Sequence, residues 1–349
     1  AVYGILAFYR SADQRYLIMT AVSSGLAVGT KATAVLALIP ASMVFIPVVL
    51  HHLKSKSALY SVILSSKIFA TFTLSIVIFA LPAGYIDNMA IFDHPMGPEE
   101  VRKSHSFEDQ SFSVVVKEGI KNSLRFSFDF VHLDGLPPIT PVKKIDSMIS
   151  FVPVKLLNLI NINLEDNNNT RSSFKFNRST IGSEDLSYWG ILGFGLIWIS
   201  ISISIVNMKQ DLVLFLLSMR FILFFLVQAF IGPYDPWRGR YFTMAAIFAL
   251  PSLGLYLNVR NLIAKVYVLS IVIGACASAL SCVFMRANSM PLTLKYQNYN
   301  YQSIFTMSRI EQLTRNRPTT TQIFTKIEEI VPQNATLAVF HAADRYEYP

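Results

Sequence analysis

Long apolar runs separated by short polar breaks organise this chain. A bilayer core about 30 Å thick takes roughly 20 helical residues at 1.5 Å each. Runs of that order are Tyr16 to Leu50, Leu59 to Ala83, Tyr188 to Asn207, Leu212 to Ile231, Tyr241 to Leu257 and Val266 to Phe284. The first is too long for a single span and is interrupted at Gly29-Thr30-Lys31, so it reads as two short helices meeting there. The pattern predicts about seven membrane helices, with the tail of another at Ala1 to Tyr9. The expected fold class is an all-α integral membrane protein, a polytopic helix bundle. Its expected divisions are membrane helices over 1–84, an extracytoplasmic loop over 85–186, membrane helices over 187–285 and an extracytoplasmic soluble segment over 286–349.

Lysine and arginine in the short breaks set the expected orientation. His51 to Lys56, the Lys209 turn and Arg260 to Lys265 fall on one side if every later run crosses, and that side is then cytoplasmic. The outer loop carries a helical stretch at Phe112 to Phe126, a turn at Asp134 to Pro138 and a polar run at Asn163 to Asn169. The tail shows a helix near Thr320 to Ile330 and a short strand at Ala335 to Phe340. The chain starts within an apolar run, without the charged segment and cleavage motif of a signal peptide, and both ends read as continuing further.

Composition sharpens this picture. Hydrophobic residues make up 52% and charged residues 15%, against roughly 25% charged in a soluble domain, and the mean hydropathy is +0.44. Disorder and an ordinary water-soluble enzyme are both excluded. The net charge of +8 is spread between apolar runs rather than gathered in a patch, so nucleic acid is not an expected partner. Cys276 and Cys282 lie in an apolar stretch and indicate no disulfide framework. No Gly-rich phosphate loop, metalloprotease motif or nucleophile elbow is present. Glycosylation sequons occur at Asn168, Asn177 and Asn334, a pattern that chance readily produces in an Asn- and Ser-rich chain.

Charges inside apolar runs are the first candidates for chemistry. Arg220 sits near the middle of Leu212 to Ile231, where insertion costs about 2.5–3.5 kcal/mol, and it needs a partner or a wet cavity. Gln228 lies broadly on the same side of that helix, and the pair reads either as a face toward an anionic substrate or as structural pairing. Lys67 raises the same question nearer a helix end. The outer turn Gly232 to Tyr241 holds Arg238, Arg240 and Tyr241 beside Trp237 and two prolines. Arginine suits bidentate phosphate contact, and Trp and Tyr anchor at the interface. Glu184 and Asp185 precede a span, where they suit a divalent cation (Mg or Mn), a general base, or a helix cap. His94, His105 and His132 share the outer loop with Asp93, Glu108 and Asp134 in no zinc-like spacing, and the adjacent His51 and His52 point apart.

Several segments taken together carry a resemblance. Ser24-Gly25-Leu26-Ala27-Val28-Gly29-Thr30-Lys31, Glu184 to Gly193 and Pro236 to Phe242 resemble, in order and spacing, segments of membrane glycosyltransferases of the GT-C superfamily, including bacterial relatives of protein mannosyltransferases and the lipid A aminoarabinose transferase. The resemblance implies an enzyme of the bacterial plasma membrane. It would pass a sugar from a polyprenyl-phosphate carrier to a protein, lipid or glycan acceptor on the outer side. It implies a principal base in a first outer loop that would lie before Ala1. It also implies that Arg238, Arg240, Tyr241 and Lys31 meet the lipid phosphate, while Glu184 or Asp185 positions the acceptor or a metal. A transporter or flippase for the same lipid, another cell-envelope transferase, and a non-catalytic membrane subunit are the competing readings.

Overall fold

A computed structural model describes residues 1–30, 34–54, 57–133, 136, 140–159, 162–176, 188–284, 291, 293–296, 299–315, 318–332 and 335. The described chain is helical apart from one antiparallel hairpin, β1 (Leu294–Tyr296) against β2 (Tyr299–Tyr301). It opens with α1 (Val2–Ser11), α2 (Arg15–Thr30) and α3 (Val35–Lys54). Two separate helices thus flank the break expected near Gly29-Thr30-Lys31, of which Lys31 lies outside the described residues. Next, α4 (Ala58–Ser75) runs through a π-helical segment, Ile76–Tyr85, into α5 (Ile86–Phe92). Three helices, α6 (Glu99–His105), α7 (Phe112–Asp129) and α8 (Thr140–Leu159), lie within the segment read as an outer loop. The second half holds α9 (Gly190–Leu192), a π turn, α10 (Trp198–Val206), α11 (Leu212–Phe230), α12 (Phe242–Ala249) and α13 (Leu262–Phe284). The short α14 (Arg309–Thr314) and α15 (Thr321–Ile330) follow the hairpin.

Among the described residues three helices are long and apolar enough to cross a membrane: Ala58–Phe92, Leu212–Phe230 and Leu262–Phe284. A shorter apolar helix spans Gly190–Val206. The chain is thus a helical membrane protein. Two expected boundaries change. The run expected to end at Ala83 kinks there instead and continues to Phe92, because Pro82 lacks a ladder donor and Gly84 takes φ +100°. The run from Tyr241 to Leu257, expected as one helix, is α12 followed by a 3-10 helix over Leu250–Asn258, with Pro251 at its start. At about 2.0 Å rise per 3-10 residue, the two segments still cover roughly 30 Å of chain.

Local chemistry accounts for several starts and breaks. The Asp211 carboxylate accepts from the Leu214 N–H at 3.0 Å and caps α11, and the Ser57 hydroxyl caps α4 in the same way. The π turn Gly193–Ile197 leaves carbonyls misaligned with the helical ladder. Tyr267 donates to the Gly195 carbonyl at 2.7 Å and Tyr256 to the Leu196 carbonyl at 2.9 Å, so hydroxyls from neighbouring segments satisfy them.

Packing divides into two regions. The larger core is aromatic and joins α7 to α10, α11 and α12. Phe130, just past α7, is fully buried, with the rings of Tyr188, Trp189, Trp198, Phe221 and Phe242 set edge-on at 5.0 to 6.1 Å. Edge-to-face pairs of this kind add about 0.5–1.5 kcal/mol each beyond area burial. A smaller cluster of Ile5, Phe8, Leu17, Val48 and Leu64 holds the first helices.

In that first group, α2 lies directly on the backbone of α4 and the π segment. A Cβ on Gly25 would sit 2.5 Å from the Ser75 carbonyl oxygen, and one on Gly29 would sit 2.0 Å from that of Phe79. Small residues four apart let two helix backbones touch where lipid provides no hydrophobic drive between helices. This packing gives Gly25 and Gly29, within the Ser24 to Thr30 stretch, a structural role. Gly25→Val is expected to cost about 1–3 kcal/mol by overpacking, read as a lowered thermal midpoint in detergent. An unchanged midpoint would mean that the close approach contributes nothing.

Candidate functional site

The site grows from an unsatisfied helix end. The last carbonyls of any α-helix lack intrahelical donors, and here α11 ends against buried side chains. Three separate elements supply the missing donors. Arg238 Nη1 donates to the Gln228 carbonyl at 2.6 Å. Asn122 Nδ2 donates to the Ala229 and Gly232 carbonyls, both at 3.1 Å, and the Phe107 N–H donates to Ile231 at 3.0 Å. One helix end therefore ties α7, the segment after α6 and the 236–241 turn together.

Asn122 belongs to a polar stripe on α7. Glu118, Lys121, Asn122, Arg125 and Asp129 share one face by their spacing, and all are buried. Arg125 donates to the carbonyls of Leu164 (3.0 Å) and Asp166 (2.6 Å) and to Asn122 Oδ1 (2.9 Å). Burial holds its guanidinium below the usual arginine range. Lys121 bridges Glu118 at 3.3 Å and Asp166 at 2.9 Å, and its hydrogen bond draws the Asp166 carboxyl below the ordinary carboxylate range. Tyr234 donates its hydroxyl to Asp129 at 2.8 Å, while its carbonyl accepts from the Arg171 N–H at 2.9 Å.

Beside this junction lies a cavity of about 390 Å³. Its apolar lining comes from Val35, Leu36, Met96, Val101 and Ile231, and its polar lining includes Arg102, Glu108, Gln228 and Arg238. Arg102 pairs with Glu108 through Nη1, but its buried Nε has no hydrogen-bond partner. Gln228 is 1% exposed, and neither its Oε1 nor its Nε2 is bonded. Leaving a buried donor or acceptor bare costs about 1–3 kcal/mol, so these atoms mark a place built for polar contact.

The expected site residues fall into three groups. Arg238, Tyr241 and Gln228 converge on the cavity. Arg238, expected to meet a lipid phosphate at headgroup level, is 5% exposed and engaged by backbone, its second arm donating to the His105 carbonyl at 3.0 Å. Burial lowers its affinity for its proton, with the Asp235 carboxylate opposing. Arg240 is exposed and lies over the Tyr241 ring, 5.4 Å from its centroid. Arg220 lies elsewhere: it is fully buried, donates to the Ala41 carbonyl at 2.9 Å and rests 5.6 Å from the Phe248 ring centroid. Its expected companion Gln228 is not bonded to it. Lys31, Glu184 and Asp185 lie outside the described residues, as do most of the Asp134 to Pro138 turn and the Ala335 to Phe340 strand beyond Ala335.

Arg102 and the α7 stripe escaped the sequence reading. A charged face on an extramembrane helix ordinarily meets water, and nothing in the spacing showed that this one turns inward. Among the described residues no group of three His, Cys, Asp or Glu side chains is disposed to hold a metal ion. His132 instead pairs with Asp146 at 3.1 Å, which docks α8. With the geometry in hand, comparison with protein-family models, curated proteins and solved structures returned no match. The site stands on its own chemistry.

Two predictions follow from the junction. Asn122→Leu strips the donor from two buried carbonyls and is expected to cost about 1–3 kcal/mol for each; a calorimetric scan of the detergent-solubilised variant with an unaltered midpoint would refute the cap. The second concerns pH. His105 is held below its ordinary value of 6.5, first by burial and next by the Arg171 and Arg238 charges. The unfolded chain then binds the extra proton, so stability is full above about pH 6.5 and declines as pH falls through that value toward the folded one. His105→Asn should flatten the slope of thermal midpoint between about pH 7 and about pH 5; a slope identical to wild type would assign it to other groups.

Proposed function

We propose that this chain is a membrane glycosyltransferase that takes a sugar from a polyprenyl-phosphate carrier and delivers it to an acceptor on the outer side of a bacterial plasma membrane, within a bundle of about seven membrane helices. The supporting observation is the cavity's mixed lining. Apolar side chains from Val35 to Ile231 suit a prenyl chain, and Arg102 with Arg238 supplies positive charge for a phosphate. Arg102 has a donor to spare in Nε, whereas Arg238 acts mainly through its charge, its terminal nitrogens being engaged with carbonyls. Transfer needs a base for the acceptor and cations for the departing lipid phosphate. In this reading the base belongs to another segment, or to Glu184 or Asp185 with or without a divalent cation.

One observation favours a second reading. Glu108, the carboxylate lining the cavity, is paired with Arg102 and so is poorly placed to take a proton from an acceptor. A chain that binds or moves the lipid-linked sugar without transferring it would need only the cation and the apolar wall.

The test uses the full chain in lipid nanodiscs with a radiolabelled polyprenyl-phosphate hexose. Arg102→Gln is expected to weaken capture by about 10- to 100-fold, the worth of a charge-assisted hydrogen bond, with Arg102→Lys recovering part of it. Capture unchanged in Arg102→Gln would sink the cavity as the site. Release of free or transferred sugar by wild type separates the transferase from the carrier.

A further inference from the structure

We propose that Gln228 reads the sugar of the lipid-linked substrate and makes the cavity discriminate a glycosylated prenyl phosphate from a bare one. The inference rests on the cavity reading above and assigns it a specificity residue. Gln228 lines the cavity, is 1% exposed and has both amide atoms unbonded. A carboxamide presents one acceptor and two donor hydrogens side by side. A phosphate can use only the donors and would leave Oε1 bare. Adjacent hydroxyls of a sugar ring use both, since a hydroxyl donates to Oε1 while its neighbour accepts from Nε2.

The placement fits this role. Arg238 holds the Gln228 carbonyl at 2.6 Å, which fixes the backbone from which the amide projects. Arg102, on the same cavity, keeps an unpartnered Nε for the phosphate. The two groups thus divide the headgroup, the cation taking the charge and the amide the neutral ring. A site built to hydrogen-bond a hydroxyl discriminates strongly against a ligand that lacks it, because its buried polar atoms are then left unpaired.

The experiment measures binding of two probes to the full chain in nanodiscs: a short-chain prenyl phosphate, and the same lipid carrying a hexose in phosphodiester linkage. Wild type is expected to favour the hexosyl form by about tenfold or more. Gln228→Leu should erase that ratio by weakening the hexosyl form selectively. Gln228→Glu keeps the shape, loses the donor, and should lower the ratio; it serves if Gln228→Leu does not fold. A wild type without preference, or a preference that survives both substitutions, overturns the assignment while leaving the cavity reading intact. Binding of neither lipid by wild type overturns both.

Discussion

A helix that ends among buried side chains leaves carbonyls that water cannot reach, and the arrangement of this protein around α11 depends on meeting that demand. Each bare carbonyl costs enough that the end of α11 is stable only when donors are brought to it. Those donors come from residues far apart in sequence: Phe107, Asn122 and Arg238. Satisfying one helix end therefore fixes three segments against each other. The apolar contacts then fill in around that frame, with Phe126 and Phe130 from the end of α7 set among the rings of α11 and α12.

The same demand explains the character of the cavity. Arg238 is drawn inward by the carbonyls of Gln228 and His105, so its charge is carried into the protein rather than left at the headgroup surface. Burial first, and then the charges of Arg171 and Arg238, hold His105 below its ordinary value. The Gln228 backbone is satisfied by Arg238, but its side chain is not, and Arg102 is only partly satisfied by Glu108. Charge and unspent hydrogen-bonding capacity thus collect beside an apolar wall, which is the chemistry an amphiphilic anion requires.

Much of the helical framework was legible because hydropathy runs of span length have few alternatives. The apolar runs at Leu212 to Ile231 and Val266 to Phe284 became helices with nearly those bounds, as did Phe112 to Phe126 and Thr320 to Ile330. Interruptions were read less well. Pro82 and Gly84 mark a kink in a helix that goes on, and Pro251 marks a change of helix type, because a proline removes one ladder donor without forcing the chain out of helical dihedrals. The turn at Gly232 to Tyr241 was recognised as chemically unusual, but the burial of Arg238 within it was not foreseen. Exposure of an arginine cannot be read from its turn when the acceptors that draw it inward lie a hundred residues away, as the His105 carbonyl does.

The sequence by itself determined that this is a helical membrane protein, because a run of apolar residues long enough to cross a bilayer has few other stable destinations. It also singled out Gln228, Arg238 and Tyr241 as polar groups needing an explanation. Only the tertiary structure decided that these three meet in one cavity with Arg102, that Arg220 stands apart over Phe248, and that the charged face of α7 turns inward. The physical reason is the range of the two effects. Hydropathy acts on each segment alone and is written in consecutive residues, whereas a buried hydrogen bond is settled by whichever distant donor the fold brings within about 3 Å.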